Sequence, residues 1–357
     1  VTILKPGRRR RGGVTIQDVA RLAGVSPMTV SRVMNDEKNV REATREAVME
    51  AVRALNYAPN PAARSLARAD PTHIGVLYSN PSAAYLSKFL LGALEEARQV
   101  GTQLVLDSCD EDVAEERAAA LRLAENGVDG VILPAPLSES PHVLEVLENA
   151  NVPVVRVAVG RMREPGLNVR VDDRAAAYDM TRRLLELGHR RIGFVRGHPN
   201  QSASEERWRG FATALQEAGV DPASAPVEQG FFTYRSGFDA TERMLVGAPH
   251  LTAIFASNDD MAAAAVNVAH IKGLRVPEDL TVVGFDDTAI ATTVWPELTT
   301  VRQPIELMAG AALDLLLAEL RARRAGETIS PSEQVVEHAL VIRDSAAAPL
   351  GTTREKA

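Results

Sequence analysis

The sequence predicts an all-α helix-turn-helix head followed by an α/β body of two lobes built on parallel sheets. Three observations carry this. Val14 to Leu66 reads as short helical patterns broken by turn and cap residues. From His73 onward, apolar strand-like runs alternate with helical patterns. That alternation then restarts, with RIGFV at 191–195 echoing HIGVL at 73–77.

The head comes first. Gln17 to Ala23 fits a short helix with Val19, Ala20 and Leu22 as its apolar set. Gly24 supplies the turn, since glycine enters positive φ without penalty. Ser26 suits the N-cap of a second helix, and Pro27 costs nothing at its first position. Val30 and Val33 share the inner face of that helix. Its outer face carries Pro27, Met28, Thr29, Ser31, Arg32 and Asn35, a small polar surface with one arginine, as a major-groove reader requires. A third helix is expected from Thr44 to Leu55, with Ala47, Val48, Ala51, Val52 and Leu55 at helical spacing.

The body follows. Strands are expected at His73–Tyr78, Gln103–Asp107, Val128–Leu133 and Val152–Val157. Helices at Tyr85–Val100, Val113–Asn126 and Val143–Asn149 lie between them. The second round has strands at Arg191–Val195, Phe231–Phe232, Ala253–Ala256 and Thr281–Phe285, with helices at Glu205–Ala218 and Arg235–Leu245. Repeated βα order implies parallel sheets covered on both faces, and two similar lobes imply a cleft. Ligands of such sheets sit beyond the carboxyl ends of the strands. Polar residues gather there: Ser79 and Asn80 after the first strand, Asn258, Asp259 and Asp260 after AIFAS, Asp286 and Asp287 after VVGF. Arg207 opens a helix, Phe232 ends a strand and Tyr85 opens the first body helix. Carboxylates, an arginine and aromatic faces suit a polyhydroxylated ligand, with Asp286 and Arg207 gripping it from opposite sides. Taken singly, Asp259 and Asn80 read as caps.

Charge divides the same way. Residues 1–69 hold 13 Lys and Arg against 6 Asp and Glu, net +7; the remainder holds 27 against 41, net −14. A basic head on an acidic chain confines nucleic-acid binding to one end. The single cysteine, Cys109, excludes an intrachain disulfide and reads as a small buried hydrophobe. No apolar run approaches the ~18 residues of a membrane span, and the basic N-terminus lacks a following apolar region, so a cytoplasmic protein is expected. No phosphate-cradling glycine loop, G-x-S-x-G, H-E-x-x-H or metal-ligand spacing is present, and the seven histidines are scattered. Neither an enzyme nor a metal or other cofactor is expected. Asp286 and Asp287 do not read as an acid/base pair, because adjacent residues on a strand end point apart.

TIQDVARLAGVSPMTVSRVMN, VREATREAV and ALNYAPNPAARSLA together resemble the LacI/GalR family of transcription regulators, a likeness that runs from about Val14 to Ser345. The resemblance implies two periplasmic-binding-protein-like (type I) lobes behind the head. Its boundaries are a basic tail at 1–13, the head at 14–59, a hinge helix at 60–70, an effector-binding and dimerisation body at 71–345 and a disordered tail at 346–357. It implies base contacts from Pro27, Met28 and Arg32 and phosphate contacts from Thr15, Ser26, Thr29, Ser31 and Asn35. Arg32 can take guanine O6 and N7 as a fork, whereas Pro27 and Met28 offer only apolar contact. Ala63 and Leu66 match the hinge positions that face the minor groove, with Leu66 as the wedge that kinks it.

The family's effector positions match Tyr85, Arg207, Phe232, Asn258, Asp286 and Gln303, to which Ser79 is added from the strand-end argument. Pro134 and Ala158 stand where the family's namesake has asparagine and aspartate, leaving the first-lobe wall less polar. A homodimer on a palindromic double-stranded operator is implied, released by a small-molecule effector. A sugar or glycoside is expected, which makes the chain a repressor of carbohydrate-utilisation genes. A nucleobase or nucleoside is the alternative effector, and a solute-binding protein without a DNA role is the alternative class.

Overall fold

A computed structural model describes residues 16–34, 41–55, 72–79, 82–110, 112–161, 165–327 and 330–350. The chain divides into two units, 1–70 and 71–357. In the first, α1 (Ile16–Ala23), α2 (Pro27–Met34) and α3 (Glu42–Ala54) enclose a small core of Val19, Ala20, Val30, Val33, Val48 and Ala51. Gly24 turns the chain at φ +64°, and the Ser26 Oγ accepts the Thr29 N–H at 3.1 Å, capping α2. Leu22 corrects the expected apolar set, being 56% exposed. The buried stripe runs Ile16, Val19, Ala20, Ala23, the i, i+3, i+4, i+7 pattern of a helix face, and Leu22 lies beside it.

In the second unit each lobe is a six-stranded sheet. The first has β1 (His73–Tyr78), β2 (Gln103–Ser108), β3 (Gly130–Leu133), β4 (Val154–Val157), β5 (Leu167–Val171) and β11 (Ser332–Val336), in the order β11-β5-β4-β3-β1-β2, all parallel. The second has β6 (Ile192–Arg196), β7 (Val227–Gln229), β8 (Ala253–Ala256), β9 (Thr281–Asp286), β10 (Thr299–Arg302) and β12 (Ala339–Val341), in the order β12-β10-β9-β8-β6-β7. The echoing strands β1 and β6 occupy the same position in their two sheets, as the repeat implies. Among the described strands only β12 runs antiparallel, at an edge.

Helices cover both faces of each sheet. In the first lobe, α4 (Ala83–Val100) and α11 (Ile305–Ala325) bury Phe89, Ile74, Val155 and Leu313 on one face. There α5 (Val113–Glu125) and α6 (Pro141–Asn149) bury Leu77, Leu123 and Leu147 on the other. In the second, α7 (Asp173–Glu186) and α8 (Ser202–Glu217) cover Phe194, Phe211 and Phe255. The opposite face is covered by α9 (Tyr234–Gly247) and α10 (Asp259–Ile271). The chain crosses between lobes three times: after β5, after β10, and between β11 and β12.

Several expectations change. Phe231 and Phe232 are not a strand; β7 ends at Gln229, and Phe232 has left-handed backbone at φ +59°. The elements β5, α7, β10, α11, β11 and β12 complete the lobes beyond the expected set. The body also reaches past residue 345. The Ser345 Oγ donates to the Val282 carbonyl, and the Ala347 N–H and carbonyl both bond Thr281 Oγ1, so 346 and 347 are packed rather than free. The Ala347 carbonyl also meets His189 Nε2 at 2.8 Å, which gives that histidine a structural role. Cys109 is buried, and burial with Glu116 nearby pushes its thiol up to about 11.

Candidate functional site

The cleft between the lobes narrows to a small cavity of about 30 Å³. Six of the seven residues expected to bind an effector line it: Tyr85, Arg207, Phe232, Asn258, Asp286 and Gln303. Ser79, at the end of β1, does not; the serine that lines the cavity is Ser82, the N-cap of α4. Pro134 is likewise replaced on the wall by Ala135, while Ala158 is there as expected. Gln201 and Ala203, at the start of α8, complete the lining and carried no signal in the sequence.

Each polar group is held by what lies behind it. Arg207 is inside α8 rather than at its mouth. Its Nε donates to Asp173 at 2.8 Å, its Nη1 donates to the Ser257 carbonyl, and its guanidinium stacks 3.6 Å over the Phe285 ring. Nη1 lies 3.8 Å from Asp286, so arginine and carboxylate form one wall of the second lobe, not opposite jaws. Gln303 donates its amide N–H to Asp286 Oδ1. Asn258 caps α10, accepting the Met261 N–H at 3.0 Å, and donates to the Phe232 carbonyl at 2.9 Å. Asp259, expected as a cap, is instead a buried brace bonded to Thr288 and Thr300.

Burial sets the charges. Loss of water pushes Asp286 up to about 7, against the pull of Arg207 and the Gln303 hydrogen bond. Burial also raises Asp259 well above the carboxylate range, with Asp286 adding repulsion, and raises Asp173 and the Tyr85 phenol. Asp287 goes the other way. Burial alone would raise it, but hydrogen bonds from Arg302 and Arg343 hold it below its ordinary value. The adjacent acids therefore do point apart, as expected, and do opposite things.

Strain marks the same place. Among the described residues, five that are not glycine have positive φ; Ala158, Phe232 and Asp286 line the cavity and Asp287 adjoins it. Such backbone costs about 1–3 kcal/mol per residue and persists where packing over-determines it. Three polar atoms at the cavity are buried without a partner: the Tyr85 hydroxyl, Gln303 Oε1 and Gln201 Nε2. An unpaired buried polar atom costs about 1–3 kcal/mol, which a ligand can recover.

In the head, Pro27, Met28 and Arg32 are exposed on α2, while Thr29 is half-buried with its hydroxyl 2.9 Å from that of Ser26. Ser31 lies in α2. Thr15, Asn35, Ala63 and Leu66, with the expected hinge helix, lie outside the described residues.

Residues 15–60 match the model described as bacterial regulatory proteins, lacI family, and 181–346 match a periplasmic binding protein-like domain. The HTH-type transcriptional regulator CelR of Thermobifida fusca is 38% identical, with 95% of this chain and 99% of that protein covered. The chain belongs to the lacI family. The HTH-type transcriptional repressor PurR of Edwardsiella ictaluri is 35% identical over 90% of this chain and 95% of its own. A solved CelR–cellobiose complex has a TM-score of 0.71 at 35% identity, covering 93% of this chain and all of the other. A lac repressor dimer bound to operator and the anti-inducer ONPF has 0.70 at 30%, covering 94% and all of the other. This lacI-family chain is thus a DNA-binding transcription regulator with a two-lobed, periplasmic-binding-protein-like body. Among the described residues no helix is long and apolar enough to cross a membrane, and no cluster of metal-ligating side chains occurs.

Proposed function

We propose that this lacI-family regulator is a cytoplasmic, homodimeric repressor of carbohydrate-utilisation genes, released from a palindromic operator when a sugar or glycoside occupies the inter-lobe cavity. One observation carries the reading: a carboxylate, a guanidinium, three carboxamides and two aromatic rings face a single cavity. Aromatic faces cover the apolar side of a pyranose, and planar polar groups bond its hydroxyls in pairs. The relative bound to cellobiose supports the same class. In this reading Pro27, Met28 and Arg32 meet bases. Thr15, Ser26, Thr29, Ser31 and Asn35 meet phosphate, and Ala63 and Leu66 enter the minor groove. Catalysis has no part in it.

The test is a gel shift on a palindromic duplex with half-sites one helical turn apart (~10 bp), titrated with sugars. Sugar should weaken binding. Inserting five base pairs at the centre should abolish it, by turning one half-site to the opposite face. Arg32→Ala should cost about 1–3 kcal/mol and relax preference at one base per half-site. Undiminished affinity for the lengthened duplex would remove the dimer. The 35% identity to the transcriptional repressor PurR supports a nucleobase as the second reading; release by nucleobases and by no sugar would establish it in place of the first.

A further inference from the structure

The start of α4 turns one row of side chains toward the second lobe. Ser82, its N-cap, Tyr85 and Lys88 stand at i, i+3 and i+6, which places them on one face of the helix. Tyr85 lines the cavity. The residues on either side of it in this row each bond the second lobe. The Ser82 Oγ donates to Asp260 at 2.6 Å, and the Lys88 Nζ donates to the Asp287 carbonyl at 2.9 Å.

The Lys88 contact falls on strained backbone. Asp286 and Asp287 are consecutive residues with positive φ, +111° and +56°. Backbone of this kind persists only where its surroundings hold it. From the second lobe the turn is held by Arg302 and Arg343 on the Asp287 carboxylate, and by Asp259 on the Thr288 N–H. Lys88 grips it from the first lobe. Asp286, which lines the cavity, is the residue just before the gripped carbonyl.

The base of the lysine is fixed as well. One turn further along α4, Gly92 lies on the first turn of α11, where a Cβ would stand 2.6 Å from Glu306 Cα and 2.7 Å from its carbonyl oxygen. That contact leaves α4 no room to slide over α11. Phe89, beside Lys88, is fully buried in the first-lobe core. Lys88 also lies 3.6 Å from the Glu306 carboxylate, but that group is 49% exposed, and such a pair is worth little. The bond to the Asp287 carbonyl is charge-assisted and partly buried, and is the stronger of the two.

We infer that Lys88 is a positioning residue of the effector switch. It ties the Asp286–Asp287 turn to the first lobe and so sets the arrangement in which Tyr85 on one lobe and Asp286 on the other meet the same effector. An effector that touches both groups favours the tied arrangement, and the tie raises effector affinity in return. This rests on the effector reading above and adds a residue outside the cavity that tunes it.

The experiment compares the full chain with three variants. Lys88→Met keeps the stem and loses the donor, Lys88→Arg keeps a donor, and Glu306→Gln loses only the ion pair. Hydrogen–deuterium exchange without any ligand comes first. Lys88→Met should raise exchange about tenfold in peptides covering 284–292 and leave those covering 16–34 unchanged. Lys88→Arg should restore protection, and Glu306→Gln should match wild type. Gel shifts on the operator duplex, titrated with cellobiose, maltose, xylobiose, adenine and guanine, come second. Without ligand, operator affinity should not fall in any variant, as a general loss of folding would make it do. Half-release of Lys88→Met should need about tenfold more of the active compound, and Lys88→Arg should respond as wild type. Unchanged exchange in Lys88→Met, or an equal effect of Glu306→Gln, overturns the tie. A wild-type response of Lys88→Met overturns its part in the switch. Release of wild type by none of these compounds counts against the effector reading alone, since the exchange measurement needs no ligand.

Discussion

At Asp286 a carboxylate has been taken almost fully out of water and left within reach of one arginine. Its neighbour Asp287, with two arginines bonded to it, is held in the charged form. Asp286 is raised to about 7 by burial, so the folded protein keeps a proton that the unfolded chain releases near pH 4. The sign follows: the native state binds more protons, so stability falls as pH rises from about 4 to about 7 and is level above that. Asp286→Asn should flatten that slope and leave the variant more stable than wild type at pH 8, with part of the slope retained because Asp173 and Asp259 are raised too. It should also blunt the response of DNA binding to effector. Denaturant unfolding at pH 5 and pH 8 measures the first effect; parallel curves for variant and wild type would show that Asp286 is not the group that holds the proton.

Among the elements, the start of α10 does the most for the cavity. Asn258 caps the helix with its carbonyl and, with its amide N–H, fixes the Phe232 carbonyl. The Phe232 ring in turn lies over Gly197, where a Cβ would come within 2.0 Å of it. Asn258→Ala should therefore cost about 2 kcal/mol, one for the cap and one for the buried hydrogen bond, and should weaken effector binding by freeing Phe232. Calorimetry and effector titration separate the two losses; a stability loss with unchanged effector affinity would reduce Asn258 to a cap. These contacts also show what the sequence could convey. Strands β1, β6, β8 and β9 are apolar runs ending in polar residues, so the strand ends and their site residues could be read directly. Edge strand β11 is largely exposed and β12 only three residues long, with no apolar alternation to announce either. The long α11 does carry one apolar stripe, with Ile305, Met308, Ala309, Ala312, Leu313, Leu316, Leu317 and Leu320 at helical spacing, a signal the sequence held. Gln201 and Ala203 come to the cavity only through the crossing of α8 against the first lobe, and the positive φ of Phe232 and Asp286 belongs to no residue pattern.

Across the whole body, effector response depends on the lobes being able to meet. They are joined by the Ser82–Asp260 hydrogen bond at 2.6 Å, Lys88 Nζ on the Asp287 carbonyl at 2.9 Å, and Ser202 held between Glu139 and the Arg161 N–H at 3.0 Å each. The lobes also come close at Gly160, just beyond β4. A Cβ there would stand 2.3 Å from the Ala203 nitrogen, 2.5 Å from its Cα and 2.6 Å from the Ser202 carbonyl carbon. All three are main-chain atoms of the opposite lobe, so no change of rotamer relieves the clash. Gly160 does not have positive φ, so alanine is tolerated by its own backbone and acts only by holding the lobes apart. A ligand shifts a two-state equilibrium only by its differential affinity for the two states. If the effector binds by closing the cleft, propping it open removes that difference. Gly160→Ala should lower effector affinity at least tenfold and abolish the effector-dependent change in operator affinity, while thermal unfolding of the body changes little. Gly247→Ala, where an added Cβ has open space, should leave all three at wild-type values. Small-angle scattering with saturating sugar should show the Gly160 variant more extended than wild type. A variant that still closes and still releases DNA on adding sugar would place the switch somewhere other than this hinge of contacts.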